Sequence, residues 1–213
     1  MRRILVLAAA LILSVAGPSV AQEWIQYVSR ADLFGVNFPS DPKVQNISYQ
    51  TESGIMLPGR VYSVDSGQSH YSVTVVDYAD AEKVHTARAE QCKKNGGEGD
   101  ACQNDWRGDV QGSIVYATAQ FLKRNAKVTH YGWTVVDQVE GHRLQLTNAD
   151  RSRTYAVIHM HEYRLYILEG TVAPGLPPPA LFQQSLGFLD KDGRRIRYAT
   201  VYSHGYPPPS RAR

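Results

Sequence analysis

The sequence predicts a single α+β domain in which an antiparallel β-sheet packs with an early helix and a C-terminal helix, as in an α/β/α sandwich. Runs with apolar residues at alternate positions recur between residues 34 and 172, which is the pattern of half-buried strands. Most connections between these runs are too short to hold a crossover helix, which favours antiparallel pairing. Two further segments have the composition of helices, one after the first strands and one near the C-terminus.

Residues 1–21 have the organisation of a secretory signal peptide. Two arginines precede an apolar run from Ile4 to Ala16, and small residues lead to a cleavage site after Ala21. The alternative is a membrane anchor, but a helix that crosses a bilayer needs about 17 to 25 apolar residues, and this run is shorter. We therefore predict export to the periplasm or the extracellular space, with a mature chain that begins at Gln22 and has no transmembrane segment.

Net charge gives no support for a nucleic-acid-binding protein. The chain has 23 Lys+Arg and 20 Asp+Glu, and cleavage after Ala21 would remove two of the arginines and no acidic residue. A nucleic-acid-binding domain is expected to carry a clear basic excess or a basic stripe. The region 22–202 has a suitable length for one domain with a large core.

The strands follow from period-2 patterning and are expected in chain order. The first run, FGVNF, is stopped by prolines, and the second and third are joined through a Ser-Gly-Gln-Ser turn as a hairpin. The expected strands are residues 34–38, 60–65, 70–78, 113–122, 127–136, 143–147, 153–160 and 165–172.

Two segments are expected to be helical. Residues 80–94 begin with acidic residues, end with basic ones and are followed by an Asn-Gly stop. Residues 179–189 start after a run of prolines and place Leu181, Phe182, Leu186 and Leu189 on one face. The tail 203–213 is rich in proline and arginine and is predicted to be disordered.

Cys92 and Cys102 flank a glycine-rich stretch and are predicted to form a structural disulfide in an oxidising compartment. The alternative is a pair of free thiols. Their spacing is not C-x-x-C, which argues against thiol redox catalysis, and no histidine lies between them to complete a zinc site. The segment 92–112 is interpreted as a loop inserted into the domain.

His159 and His161 are the candidate metal ligands. On a strand, their spacing of two places both on one face together with Tyr155 and Val157, and imidazole nitrogens suit zinc, copper or nickel. A third ligand would have to come from Glu162 at the following turn or from a histidine elsewhere in the chain, namely His70, His85, His130 or His142. The other interpretation, which we favour, is that Ile158 and Met160 pack inward while the histidines face solvent or a helix edge.

Other sequence motifs give weaker evidence for a functional site than His159 and His161 do. The string HEYRL lacks the second histidine of a zinc-protease motif, and no nucleophile elbow, P-loop or dinucleotide-binding glycine motif is present. Arg194, Arg195 and Arg197 form a basic cluster that is a candidate for weak contact with an anionic surface. The alternative is that these arginines belong to a solvated terminus.

Four stretches together resemble the PsbP-like family. They are FGVNFPSDP (34–42), the hairpin ending in HYSVTVV with the helix after it, the strand RLYIL, and LFQQSLGFL. The resemblance covers roughly residues 32–189 and implies an α/β/α sandwich, as in extrinsic photosystem subunits and exported bacterial proteins. It rests on packing positions, so no site residue is transferred.

From these observations we expect an exported binding or structural protein of the cell envelope that is not an enzyme and uses no cofactor. Its expected partner is an envelope protein or polymer. The alternative function is a metal- or ligand-dependent envelope enzyme that uses His159 and His161.

Overall fold

The structure is a computed structural model that describes residues 24–203 and 208–212. The predicted signal peptide, residues 1–21, and its cleavage site lie outside the described residues. The described part is α+β, as the sequence predicts, with mostly antiparallel strands and three helices. Among these residues, no helix is long and apolar enough to cross a membrane.

The elements are, in chain order, β1 (Ile25–Ser29), β2 (Phe34–Phe38), β3 (Lys43–Gln50), β4 (Met56–Ser66), β5 (Ser69–Asp77), α1 (Ala81–Lys94), α2 (Trp106–Leu122), β6 (Ala126–Val136), β7 (Val139–Asn148), β8 (Arg153–His161), β9 (Arg164–Val172), α3 (Ala180–Gln183) and β10 (Gly187–Phe188). A single 3-10 turn, Gly99–Cys102, connects α1 to α2.

The main sheet has seven strands in the order β3-β4-β5-β9-β8-β7-β6. Neighbours along the chain pair as hairpins, and two of the two-residue turns, at 137–138 and 162–163, have positive φ at both residues. The pairing of β5 with β9 joins the two halves of the chain at the centre of the sheet. A second sheet, β1-β2-β10, has three strands.

The main sheet has a hydrophobic core on each of its faces. On one face, α2 contributes Ile114 and Phe121 to a cluster with Leu144 and Ile158 of the sheet. On the other face, Phe34 and Phe188 of the second sheet pack on the opposite side chains of the main sheet in a separate cluster. Strand β8 is therefore buried on both of its faces.

Two predicted elements differ from the structure. Residues 113–122, predicted as a strand, belong to α2, whose first turn is capped by the Asp105 carboxylate accepting from the Gly108 N–H. Val110, Ile114, Ala117 and Phe121 recur at helical spacing and face the sheet. Periodicity in such a short apolar run fits either element, and the cap that decides between them lies upstream.

The predicted helix 179–189 is largely replaced by other structure. Only Ala180–Gln183 is helical, and Gly187–Phe188 instead form β10, which pairs antiparallel with β2. The Ser185 hydroxyl accepts from the Asn37 N–H and so ties the chain to β2 just after the helix ends. The second face of the main sheet is therefore covered by a small sheet and a short helix rather than by one long helix.

Part of the predicted disordered tail is paired with the domain. Within the described residues 208–212, the Ala212 N–H donates to the Arg197 carbonyl and the Ser210 carbonyl accepts from the Ala199 N–H. The Arg211 guanidinium also contacts Glu162 at 3.2 Å. These contacts depart from the prediction of a disordered tail at these residues.

Candidate functional site

The structure buries both candidate metal ligands. His159 is 0% exposed and His161 is 1% exposed, under Phe188 of β10 and the segment that follows it. The expectation that these histidines face solvent or a helix edge is therefore wrong. That expectation assumed that only one face of β8 is buried. In the structure, the second sheet and the C-terminal segment cover the other face of β8 as well.

Hydrogen bonds and ring contacts hold both imidazoles in place. His159 Nδ1 lies 3.1 Å from the Glu140 carbonyl oxygen, and His161 Nε2 lies 2.7 Å from the Tyr198 hydroxyl. The His161 ring stacks on Phe188 with centroids 4.5 Å apart. Burial in this apolar surrounding lowers the pKa of His159 to about 4 and the pKa of His161 to about 3. Both rings are accordingly neutral at pH 7.

Metal binding by this pair would need ligands that the fold does not bring to it. Within residues 24–203 and 208–212, no group of three or more His, Cys, Asp and Glu is placed to hold a metal ion. Glu162, one candidate for a third ligand, contacts Arg211 and Tyr198 instead. Among the described residues, His159 Nε2 is buried without a hydrogen-bond partner.

Another buried histidine forms part of the packing between the two long helices. His85 Nε2 of α1 lies 3.0 Å from Asp109 Oδ2 of α2, and both side chains are almost fully enclosed. Because the pair spans the two helices, it fixes α1 against the start of α2. The sequence offered this histidine only as a distant metal ligand, and the structure places it on the other face of the sheet from His159.

Cys92 and Cys102 lie at disulfide distance, with Cα atoms 5.4 Å apart, and their sulfurs are bonded. Cys92 is in the last turns of α1 and Cys102 ends the 3-10 turn. A Cβ atom at Gly97 would lie 2.6 and 2.7 Å from the two sulfurs, so a residue with a side chain would clash with the disulfide at this position. The bridge thus closes a tight loop between α1 and α2.

Two of the three clustered arginines are engaged within the protein. Arg195 Nε lies 2.6 Å from Asp137 Oδ2, and Arg197 Nε lies 3.4 Å from the other oxygen of the same carboxylate. Arg195 also donates to the Leu186 carbonyl oxygen. The charge of these two side chains is partly balanced by Asp137, which reduces what the cluster offers to an anionic surface.

An exposed apolar surface lies at the β6 edge of the main sheet. We call it the aromatic face: Val115 and Leu122 of α2 together with Val128, Tyr131, Trp133 and Val135 of β6. The β6 members pair across to Leu146, Leu144, His142 and Glu140, which places them on the helix side of the sheet. Trp133 is 69% exposed and Tyr131 is 52% exposed.

Packing beneath the aromatic face holds its two rings in place. The rings of Trp133 and Tyr131 meet the His142 ring edge to face, with centroids 4.9 and 5.4 Å away. His142 is itself buried, and its Nδ1 lies 2.7 Å from the Thr118 hydroxyl of α2. A buried, hydrogen-bonded histidine therefore contacts both exposed rings, which reduces the side-chain entropy that they lose on binding.

The segments that supply the aromatic face carry charges of one sign, whereas Glu140, the register partner of Val135, lies on the same side of the sheet near the end of β6. Residues 110–136, which supply all of its side chains, contain no Asp or Glu and three cations. Arg124 is paired with Glu169 at 2.6 Å, whereas Lys123 and Lys127 are exposed. The face is thus apolar at its centre and basic at the end of α2 and the start of β6.

Sequence reasoning missed the aromatic face. The alternation of Tyr131, Trp133 and Val135 predicted a half-buried strand, with the apolar side turned inward. In the structure, β6 is the outermost strand, and α2 packs mainly on β7, β8 and β9 rather than on β6. The one signal in the sequence is the long stretch without acidic residues, which does not by itself indicate exposure.

No family model and no curated protein sequence matches the chain. Among solved structures it is similar to the solution structure of cyanobacterial PsbP (CyanoP) from Synechocystis sp. PCC 6803, with a TM-score of 0.38 and 11% sequence identity. The similarity covers 76% of this chain and 87% of that chain. That protein belongs to the family that the sequence resembles. The similarity concerns the fold alone.

Proposed function

We propose that this protein is an exported, non-catalytic binding protein of the cell envelope and that it binds its partner through the aromatic face. The observation that carries the proposal is the exposure of Trp133 and Tyr131 on rings that are already fixed by His142. Apolar patches of this kind on a protein surface mark interaction sites more often than chance packing.

The composition of the aromatic face supports binding to another macromolecule. Binding energy at protein interfaces is concentrated in aromatic anchors, especially Trp and Tyr, which are surrounded by contacts that exclude water. Here Val115, Leu122 and Val135 can provide those surrounding contacts. The lysines at the border can steer an acidic partner and set its orientation.

Substituting the two aromatic anchors is expected to weaken binding while leaving the fold intact. We expect Tyr131→Ser combined with Trp133→Ser to lower affinity for the envelope partner by at least about tenfold, since truncated hot-spot side chains cost roughly 2 kcal/mol or more. The partner would be captured from envelope extract on the wild-type protein, purified, and titrated against each variant by calorimetry.

The opposite edge of the main sheet supplies a matched control. Val44 and Met56 are both 51% exposed, so Val44→Ser with Met56→Ser removes two exposed apolar side chains from β3 and β4. This control should bind as the wild type does. Equal binding by the aromatic-face variant, at an unchanged melting temperature, would show that the partner uses another surface.

Export is the second part of the proposal and is supported by the signal-peptide pattern of residues 1–21 and by the bonded cysteines. We expect the exported chain to begin at Gln22. Intact-mass measurement and N-terminal sequencing of protein from the periplasmic fraction would check this, and a mature chain that retains residues 1–21 would contradict it.

The alternative of a metal-dependent enzyme is favoured by one observation, the unmet hydrogen bond of His159 Nε2. Elemental analysis of untagged protein distinguishes the two functions. We expect no stoichiometric zinc, copper or nickel. A bound metal that disappears when His159 and His161 are both changed to Ala in a folded variant would favour the enzyme instead.

A further inference from the structure

Strand β6 presents an open edge beside the aromatic face. It spans 11 residues and stands last in the strand order of the main sheet, with β7 on one side. On its other side, no strand of the described residues pairs with it. An outermost strand leaves alternate backbone N–H and C=O groups available, and these are a template for a further strand.

From His130 onward, the edge of β6 lacks the features that usually prevent strand addition. From His130 to Val136 it contains no Asp, Glu, Lys, Arg or Pro, and its register irregularity is confined to Val128/His130, near its start. Exposed edges are commonly blocked by charges, proline or bulges along the strand. By contrast, β3 at the other edge of the sheet is largely polar, with Gln45, Asn46, Ser48 and Gln50.

The geometry of the aromatic face fits an added strand. Tyr131, Trp133 and Val135 alternate along β6 and lie on one side of the sheet. A strand paired to β6 would place every second side chain on that same side, next to these residues. Backbone pairing would then provide affinity, and the alternate side chains would provide specificity.

We infer that the partner contributes an extended segment that pairs with the free edge of β6 as an eighth strand of the main sheet. Its apolar side chains, at every second position, lie on the aromatic face, and its acidic residues lie near Lys123 and Lys127. This inference rests on the proposed function of the aromatic face and adds the form and the charge of the ligand. Lys123 and Lys127, with no acidic residue in 110–136, favour an acidic segment over a second copy of this basic surface.

Selection from random peptides tests the inference without knowledge of the natural partner. Phage-displayed peptides of 11 residues, the length of β6, would be selected on the mature protein and counter-selected on Trp133→Ser. We expect enriched sequences with apolar residues at alternate positions and Asp or Glu toward the end that pairs with the start of β6, near Lys123 and Lys127. The inference would be overturned if the enriched sequences were basic or had apolar residues at helical spacing. It would also be overturned if no enriched sequence required Trp133 for binding.

Backbone methylation of a selected peptide then tests for strand pairing itself. In an added strand, every second N–H points to β6, so N-methylation at those positions should reduce affinity by at least about tenfold. N-methylation at the intervening positions should leave affinity nearly unchanged. Equal effects at both sets of positions would mean that the peptide binds by side chains alone, and this would overturn strand addition.

Two further measurements separate the inference from the proposed function. If the envelope partner needs Trp133 but the selected peptides do not alternate, the aromatic face binds and the mode of binding inferred here is wrong. If neither ligand depends on Trp133, both proposals fail. Sedimentation of the wild type and Trp133→Ser would reveal a Trp133-dependent dimer, which would assign the edge to a second copy and overturn the acidic-segment inference.

Discussion

Lowering the pH from about 7.5 to about 5 is expected to reduce the free energy of unfolding by about 4 kcal/mol through His159 and His161 alone. Both rings are buried and neutral in the folded protein, because burial lowers their pKa to about 4 and about 3. In the unfolded chain the same groups have the ordinary pKa of about 6.5.

The direction of this effect follows from proton binding. Between pH 6.5 and the folded-state pKa values, the unfolded chain holds protons that the folded protein does not, so acid favours unfolding. The contribution of these two histidines to the free energy of unfolding is nearly complete above pH 6.5. It decreases progressively as the pH falls from 6.5 toward the folded-state pKa values of about 4 and about 3. At pH 5 each histidine contributes a loss of about 2 kcal/mol, set mainly by the unfolded pKa because both folded values lie lower.

Urea unfolding at a series of pH values would measure the effect. We expect the variant with His159→Gln and His161→Gln to be less stable at pH 7.5, because it loses packing with Phe188, but to lose less further stability on acidification. His70→Gln is the matched control, since His70 is half exposed and pairs with Asp65. Parallel pH dependences in the wild type and the double variant would contradict the prediction.

Replacing Cys92 and Cys102 by serine is expected to cost about 2.5 to 3 kcal/mol of stability. The bond closes a short loop that restricts the unfolded chain and connects the end of α1 to the turn before α2. For a domain of this size, the loss corresponds to a decrease of about 5 to 10 °C in melting temperature. Partner binding should be retained, because the aromatic face is formed by α2 and β6.

Thiol titration of denatured, unreduced protein from the periplasm checks the bond first. A formed bond predicts that the denatured, unreduced protein has essentially no reactive thiol. Two reactive thiols per chain would mean that the bond does not form in the cell. Calorimetry of the variant with both cysteines replaced by serine measures how much the bond stabilises the fold. An unchanged melting temperature would show that the bond does not contribute to stability.

The sequence allowed the α+β class and most strands of the main sheet to be predicted, because these strands are long and strongly patterned. β6 and β9 match their predicted ranges within a residue, and α1 matches because its charge pattern and Asn-Gly stop are local signals. Strands β1 and β3 were not predicted. β3 is a largely polar edge strand, so it carries little of the apolar alternation on which the prediction depends.

The environment of His159 and His161 could not be predicted from the strand that carries them. Their burial depends on Phe188, which reaches them because β10 pairs with β2 more than a hundred residues earlier in the chain. Likewise, the exposure of Trp133 depends on where α2 lies over the sheet. In both cases the local pattern specifies a face, and only tertiary packing decides whether that face is covered.

The central pairing of the main sheet also constrains when the protein can fold. Val73 of β5 and Leu168 of β9 are register partners, although roughly 95 residues separate them in the chain. A chain that leaves a translocation channel N-terminus first would display β3, β4 and β5 with an unpaired inner edge until β9 had emerged. Such non-local pairing slows folding and prolongs exposure to aggregation. The main sheet is therefore expected to close only after β9 has emerged from the ribosome or from a translocation channel, and until then the exposed edge of β5 is where a chaperone would protect the chain most.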